Sequence, residues 1–541
     1  MPDVPLDMLV TGRIATFSGR VGFGWVEAVG IRQGRIAFAG SAIELETRAD
    51  PHTLRIELEP GEIAIPGLTD AHIHLLDAAL ATEHVDLSGA RTLEEGLALI
   101  VAADRALPVG AWLQGGGWDQ RRWGRWPTAA DLDQVMPGRP AAIWSFDHHA
   151  VWGNGASFAL AGLDSRSADP AGGFVRRTAD GTPEGVVLEN ACVLLMGRVP
   201  PPDEMTINRT LRRLGRQLLE LGVVGVHDPG NVSPDVDLLA FDAYGRMADA
   251  GDLPLRVHAS LRPESLDRAI DRGLRSGALL GENPDGRARI GWLKLFADGT
   301  LGSQTAALLE PREGSTDLGV FRQGPEELAA FVARAAEAGI ASQIHAIGDG
   351  AVRAALDALA PSAGSTALMP RLEHVQLVHP SDRVRFARHG VAASVQPVHL
   401  REDADSARRD WGERAEACGY AWATLNDTGA VIAFGTDAPV EPVDPWPGIA
   451  LSVLRRDPSW GSGAAAFGPH EALDLETALR AATLGPALTT REMDRGRLIP
   501  GSRADLIVLP AAPREPDAAE AAFATVRPRL VLMDGDIVVD A

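Results

Sequence analysis

The 541-residue sequence has few sulfur atoms that could cross-link the chain or bind a metal. Its two cysteines, Cys192 and Cys418, lie far apart in the chain. They provide neither a disulfide framework nor the Cys-x-x-Cys pair of a zinc knuckle. Any metal site in this protein is therefore expected to use nitrogen and oxygen ligands.

Basic residues are outnumbered by acidic ones. The chain has 51 Lys and Arg and 73 Asp and Glu, which gives a net charge of −22. Nucleic acids and anionic membranes bind basic surfaces, so this charge argues against both as partners. The sequence has no apolar window of about 20 residues for a membrane span. Its first residues lack a basic stretch followed by an apolar run, so we expect no signal peptide. We expect a cytoplasmic protein that acts on a small molecule, with a homodimer as the default assembly.

The length exceeds that of a single hydrophobic core, which stops growing at roughly 250–300 residues. Short strands rich in Val, Ile and Leu near both ends predict a small β-sandwich built from residues 1–62 and 491–541. Between them, apolar runs alternate with amphipathic stretches, which predicts an α/β fold, a (β/α)₈ TIM barrel over 63–490. The range 76–222 is too long for one connection and is predicted to be an insertion after the first barrel strand. The predicted barrel strands are 64–75, 223–228, 255–261, 290–296, 341–347, 371–377, 391–396 and 431–437.

Residues that can bind a metal stand at the carboxyl ends of several predicted strands. His72 and His74 end the first strand, and because residues i and i+2 of a strand point to one face, two imidazoles could hold one cation. TIM barrels place their active sites at this end of the strands. A polar residue on a loop rim explains any single one of them better than a metal ligand does. Five strands that share the feature nevertheless predict a metal site. The residues on the fourth, fifth, sixth and eighth strands are Lys294, His345, His374 and Asp437.

Several motifs together resemble the amidohydrolase superfamily, and within it the branch called amidohydrolase family 3, the N-substituted formamide deformylase-like proteins. The resemblance covers essentially the whole chain, and its motifs are jointly specific to the branch but not to a substrate. They are PGLTDAHIH at 66–74, KLFADG at 294–299, HAIGD at 345–349, EHVQ at 373–376, SVQP at 394–397, GTDAPV at 435–440 and GRLIPGSRADL at 496–506.

The resemblance implies roles for these residues. His72, His74 and Asp437 would hold one divalent metal, and His345 and His374 would hold a second. Lys294 would be N-carboxylated, so that an anionic oxygen ligand bridges the two ions. Family members with a single ion also exist. Zinc suits such ligands, although nickel, manganese and iron fit the sequence as well.

The reaction that the resemblance implies is hydrolysis of a non-peptide C–N bond in an amide or N-substituted formamide-like substrate. A metal-activated hydroxide would attack, and Asp437 would act as base and then as acid. Lactone, ester or cyclic amide hydrolysis would need the same residues. A ring deaminase of this superfamily typically lacks the bridging lysine, so Lys294 argues against it. An inactive binding protein would be expected to lack a ligand, and none is missing.

Substrate contacts are predicted for three residues outside the metal set, although His149 fits a structural histidine equally well. His227 and His258 end the second and third strands and are predicted to be structural. His399 is predicted to lie on the rim of the site. The tryptophans of the insertion could line a pocket, but the core of an inserted lobe explains them better. The three substrate residues are His149, Asp298 and Gln304.

Overall fold

The computed structural model describes residues 5–146, 150–170, 173–189, 191–230, 238–461, 463–510 and 526–541. The chain divides into two compact units, one formed by Met1–Ala78 with Leu211–Ala541 and the other by Ala79–Thr210. The second unit lies inside the range that the sequence assigns to an insertion. In the part of the chain that is described, no helix is both long and apolar enough to cross a bilayer.

Strands from both ends of the chain form one eight-stranded sheet in the first unit. Ile63–Pro66 pairs antiparallel with Leu506–Leu509, which joins amino-terminal strands to carboxyl-terminal ones. Gln33 and Gly34 have φ angles of 51° and 71°, which allows the tight turn between two of these strands. Besides that pair, the sheet contains Met8–Ala15, Trp25–Arg32, Arg35–Gly40, Leu54–Glu57, Leu530–Met533 and Asp536–Asp540, with the short helix Ala42–Glu46 following the third strand.

The first unit also contains the predicted barrel, and the α/β TIM-barrel prediction is confirmed. Its eight strands are parallel neighbours in chain order. Backbone bonds connect the two outermost strands, because the Ala71 N–H donates to the Phe434 oxygen (2.8 Å) and the Asp437 N–H to the His72 oxygen (2.6 Å). The barrel strands, first to eighth, are Leu68–Asp70, Val223–Asp228, Arg256–Leu261, Ala288–Phe296, Ser342–Ala346, Arg371–His374, Ala392–Val395 and Ile432–Phe434.

Helices connect these strands, as a parallel sheet requires. Glycine or proline marks several of their ends: Pro325 and Pro380 stand in first turns, and Gly390 ends a helix in the left-handed conformation (φ 62°). The helices are Leu75–Ala81, Glu204–Glu220, Leu239–Asp249, Leu266–Asp271, Pro325–Glu337, Asp349–Leu359, Pro380–His389, Leu400–Trp411, Arg414–Cys418, Trp422–Asp427, Pro445–Leu454, Leu475–Ala481 and Leu484–Thr490. Short 3₁₀ turns are Pro263–Ser265, Ala360–Ser362, Pro397–His399, Pro458–Trp460 and Pro469–Glu471.

The prediction of a single first strand over 64–75 was wrong. The apolar run contains two strands, Ile63–Pro66 of the terminal sheet and Leu68–Asp70 of the barrel. Gly67 separates them, and a Cβ added there would lie 2.8 Å from the Val224 side chain, so the close approach requires glycine. His72 and His74 consequently follow the strand in a loop, and strand alternation does not explain why they face one site.

The second unit is built on a six-stranded sheet. Trp118 and Trp152 are fully buried in its core, and their indole N–H groups donate to the carbonyls of Ile143 and Thr128, both at 2.8 Å. These tryptophans therefore form the core of the lobe. Its strands are Val85–Asp86, Leu113–Trp118, Ala141–Ser145, Ala150–Gly153, Gly173–Arg177 and Pro183–Glu189, and its helices are Leu93–Ala106, Gln120–Trp123, Ala129–Val135, Gly155–Ala161 and Cys192–Met196.

Candidate metal centre

The six predicted ligands come from one end of the barrel, and all six are buried. Two lie in the loop after the first strand, one on each of the fourth, fifth and sixth strands, and one three residues beyond the eighth strand. They are His72, His74, Lys294, His345, His374 and Asp437.

Asp437 lies among the histidines. Its Oδ1 is 3.3 Å from the Nε2 of both His72 and His74. His72, His374 and Asp437 each offer one ligand atom, and these atoms lie within 4.8 Å of one another. The rings of His345 and His374 are 4.5 Å apart between centroids. The structure thus brings together histidines that the resemblance divided between two ions.

Three of these groups have polar atoms that fit a bound cation. The buried atoms His72 Nε2, His374 Nδ1 and Asp437 Oδ1 have no hydrogen-bond partner among the described residues. A buried polar atom without a partner costs roughly 1–3 kcal/mol. Two imidazole nitrogens and a carboxylate oxygen are common ligands of a divalent metal, so the donor set suits such an ion.

The protonation states of His345, His374 and Asp437 favour metal binding. Burial lowers the pKa of His345 to about 3, aided by Lys294, and holds that of His374 well below its usual range. Burial would raise the pKa of Asp437, but the neighbouring His72 and His399 keep it well below the ordinary value. Burial also lowers the pKa of Lys294 to about 8, against the opposing effect of nearby carboxylates. Neutral imidazoles and an ionised aspartate leave their lone pairs free for an ion.

A buried aspartate holds the two loops that carry His72 and Asp437. Asp70 accepts the N–H of His72 (2.9 Å) and both the N–H (3.1 Å) and the hydroxyl (2.6 Å) of Thr436. The His74 N–H also donates to the Ala438 oxygen (2.9 Å). Asp437 has a φ of 63°, a conformation that costs energy in a residue with a side chain and persists only where surrounding contacts impose it.

His399 contributes more to the site than the predicted rim position suggests. Its Nε2 lies 3.2 Å from Asp437 Oδ2, and its Nδ1 lies 3.2 Å from Glu441 Oε1. Arg401 in turn contacts Glu441 at 2.8 Å. Burial opposes protonation, yet the two carboxylates raise the pKa of His399 to about 10. A positively charged ring therefore faces the oxygen of Asp437 that points away from His72 and His74.

Two residues predicted to contact substrate make other contacts. Asp298 accepts three backbone N–H groups, from Ala307 (2.9 Å), Ile347 (3.1 Å) and Gly348 (2.9 Å). These bonds tie the loops after the fourth and fifth strands together, close to His345. Gln304 is exposed, and its amide donates to the Asp410 carboxylate at 3.2 Å.

The remaining histidine predictions divide in two. His149 lies outside the described residues. His227 and His258 are buried inside the barrel with their rings 5.1 Å apart, and the Nδ1 of His227 lies 3.0 Å from the Arg371 guanidinium. Burial and contacts inside the barrel fit the structural role that was predicted for His227 and His258.

Solved structures share this architecture. Uncharacterized metal-dependent hydrolases from Pyrococcus furiosus and Pyrococcus horikoshii OT3 match with TM-scores of 0.76 and 0.78 at 29% and 27% identity. Each match covers 94% of this chain, and 99% and 98% of the respective neighbour. The fold and the site together define a metal-dependent hydrolase with a TIM barrel.

Sequence comparison makes the assignment more specific. The model of the amidohydrolase family matches residues 60–539, and the chain belongs to this family, as its motifs predicted. Protein LONG AFTER FAR-RED 3 of Arabidopsis thaliana is 32% identical over 93% of this chain and 87% of its own length. N-substituted formamide deformylase of Arthrobacter pascens is 28% identical over 94% of this chain and 93% of its own length.

Proposed function

We propose that this hydrolase cleaves a non-peptide C–N bond, amide or N-substituted formamide-like, in a small organic molecule. The observation that carries the proposal is the convergence of ligand atoms from His72, His374 and Asp437. Each of these residues also has a buried polar atom with no hydrogen-bond partner among the described residues. The similarity to a formamide deformylase along nearly the whole length of both chains supports this bond class.

His72, His74, His374 and Asp437 would hold a divalent ion, and their imidazole and carboxylate groups suit zinc with an open coordination position. Such an ion would lower the pKa of a water molecule and polarise the scissile carbonyl. His345 would take part in holding a second ion if Lys294 carries a carboxylate. The lowered pKa of Lys294 favours that modification, because only the neutral amine can attack carbon dioxide.

Asp437 would move the proton. It starts ionised, because the neighbouring histidines hold its pKa low, so it can accept the proton of the attacking water and return it to the leaving nitrogen. His399, 3.2 Å from Oδ2, would keep the carboxylate ionised and in place before the transfer.

The test combines metal analysis with a substrate panel. We expect at least one equivalent of bound metal in the purified protein and amine release from N-alkyl formamides or N-acyl amines. Less than about half an equivalent of tightly bound transition metal would contradict the proposed site. Hydrolysis of lactones with no cleavage of any amide would contradict the proposed bond class and would identify the protein as an ester or lactone hydrolase.

A matched pair of variants tests the role of Asp437. Asp437→Asn should fold but lose turnover, because an amide cannot accept the proton. Asp536→Asn, an exposed substitution on the last strand of the terminal sheet, should retain wild-type turnover. Equal activity of the two variants would rule out Asp437 as the base.

A further inference from the structure

The sixth barrel strand carries two charged side chains that the proposed reaction does not use. Arg371 and Glu373 are two positions apart on this strand, so their side chains point to the same face, into the barrel. Both are fully buried. Glu373 Oε1 lies 2.7 Å from Arg371 Nε, and its Oε2 lies 2.5 Å from the Nδ1 of His72. A buried chain of contacts thus runs from Arg371 to a candidate metal ligand.

Groups from three other strands fix the guanidinium of Arg371. Gln343 Oε1 accepts from Nε at 3.0 Å and from Nη2 at 2.5 Å. Nη1 donates to His227 Nδ1 at 3.0 Å, since arginine can only donate. The guanidinium also lies over the Trp292 ring at 3.9 Å. These contacts fix the guanidinium, and its ion pair with Glu373 Oε1 at 2.7 Å keeps the Glu373 carboxylate beside it.

This placement determines the tautomer of His72. An ionised carboxylate can only accept, so the 2.5 Å contact requires the proton of His72 to be on Nδ1. In the neutral ring the lone pair is then on Nε2, which lies 3.3 Å from Asp437 Oδ1 and lacks a hydrogen-bond partner among the described residues. Carboxylates placed behind a histidine ligand orient its ring and raise its basicity.

We propose that Glu373 and Arg371 are positioning residues for the metal ligand His72, Glu373 directly and Arg371 through Glu373. The inference rests on the metal site of the proposed function but not on the reaction. Stability alone explains the pair poorly, because a buried ion pair is often replaced by apolar residues without loss of stability.

Three variants test the proposal: Glu373→Gln, Arg371→Met, and the double variant with both residues changed to Met. Two quantities are measured, the zinc dissociation constant by competition with a chromophoric chelator and the melting temperature of the metal-free protein. We expect Glu373→Gln to bind zinc about 10–100-fold more weakly. The double variant removes both charges, so it should fold yet remain weak in zinc binding, because nothing orients His72.

A second buried ion pair provides the control. Asp505 lies 2.8 Å from Arg256, away from the proposed ligands. Asp505→Asn should lower the melting temperature of the metal-free protein and leave zinc affinity unchanged.

Two results would overturn the proposal. One is wild-type zinc affinity in folded Glu373→Gln or in the folded double variant. The other is that each of the three variants loses zinc binding only together with its fold. That result would show that the pair has a purely structural role. If wild-type protein itself binds no metal, the proposed function fails rather than the positioning role.

Discussion

Acidification should destabilise the barrel through the histidines buried inside it, and His258 allows the magnitude to be worked out. Its side chain is 2% exposed, and burial lowers its pKa to about 4 despite Glu492 Oε2 at 3.7 Å from Nε2. In the unfolded chain the pKa of histidine is about 6.5. Above pH 6.5 the ring is neutral in both states, so its contribution is constant. Between about pH 6.5 and 4 only the unfolded chain takes up the proton, which removes about 3 kcal/mol of stability.

The assay compares metal-free wild type with His258→Gln, whose amide does not titrate, by urea unfolding at pH 7 and pH 4. Between pH 7 and pH 4, the unfolding free energy of wild type should fall by about 3 kcal/mol more than that of His258→Gln. Other buried histidines, such as His345, titrate in both proteins and cancel. His52→Gln, at an exposed position, should follow wild type at both pH values. An unchanged difference between wild type and His258→Gln would refute the reasoning.

Three other substitutions or treatments have defined outcomes. Asp298→Ala removes the acceptor of three backbone N–H groups, so we expect a loss of at least about 3 kcal/mol in stability; a raised KM with unchanged melting would instead support the predicted substrate contact. Thr436→Val deletes the hydroxyl bond to Asp70 and should weaken zinc binding, measured by chelator competition; unchanged affinity would show that Asp70 does not control the ligand loop. Chelation should abolish amide hydrolysis and added zinc should restore it, whereas activity that survives complete metal removal would contradict a metal-dependent reaction.

The regular part of the barrel could be predicted because each strand is a short apolar run between amphipathic helices. The second strand, Val223–Asp228, has the bounds that the sequence predicts. The first strand could not be predicted correctly, because a continuous apolar run does not show where the chain leaves one sheet for another. That transfer takes place at Gly67, and only the close approach of Val224 reveals it.

The gathering of the proposed ligands at one end of the barrel could be predicted from their positions at strand ends, but the contacts that hold them could not. His72 and Glu373 are 301 positions apart, and no local pattern indicates that their side chains meet across the barrel. A usable signal was present: Arg371 and Glu373 are two charges on a four-residue strand that is wholly buried. Charges are buried at high cost unless they are paired, so such a strand indicates a polar network inside the barrel.

The bonds between Asp70 and Thr436 join segments 366 positions apart, and this separation has a consequence for folding. Contacts between distant segments form late, because the entropy of closing so long a loop must be paid before the contact stabilises anything. Until the eighth strand is in place, His72 and His74 lack Asp437 as a partner. Binding of the proposed metal would therefore report completion of the barrel, and a chain that ends before residue 430 should not acquire it.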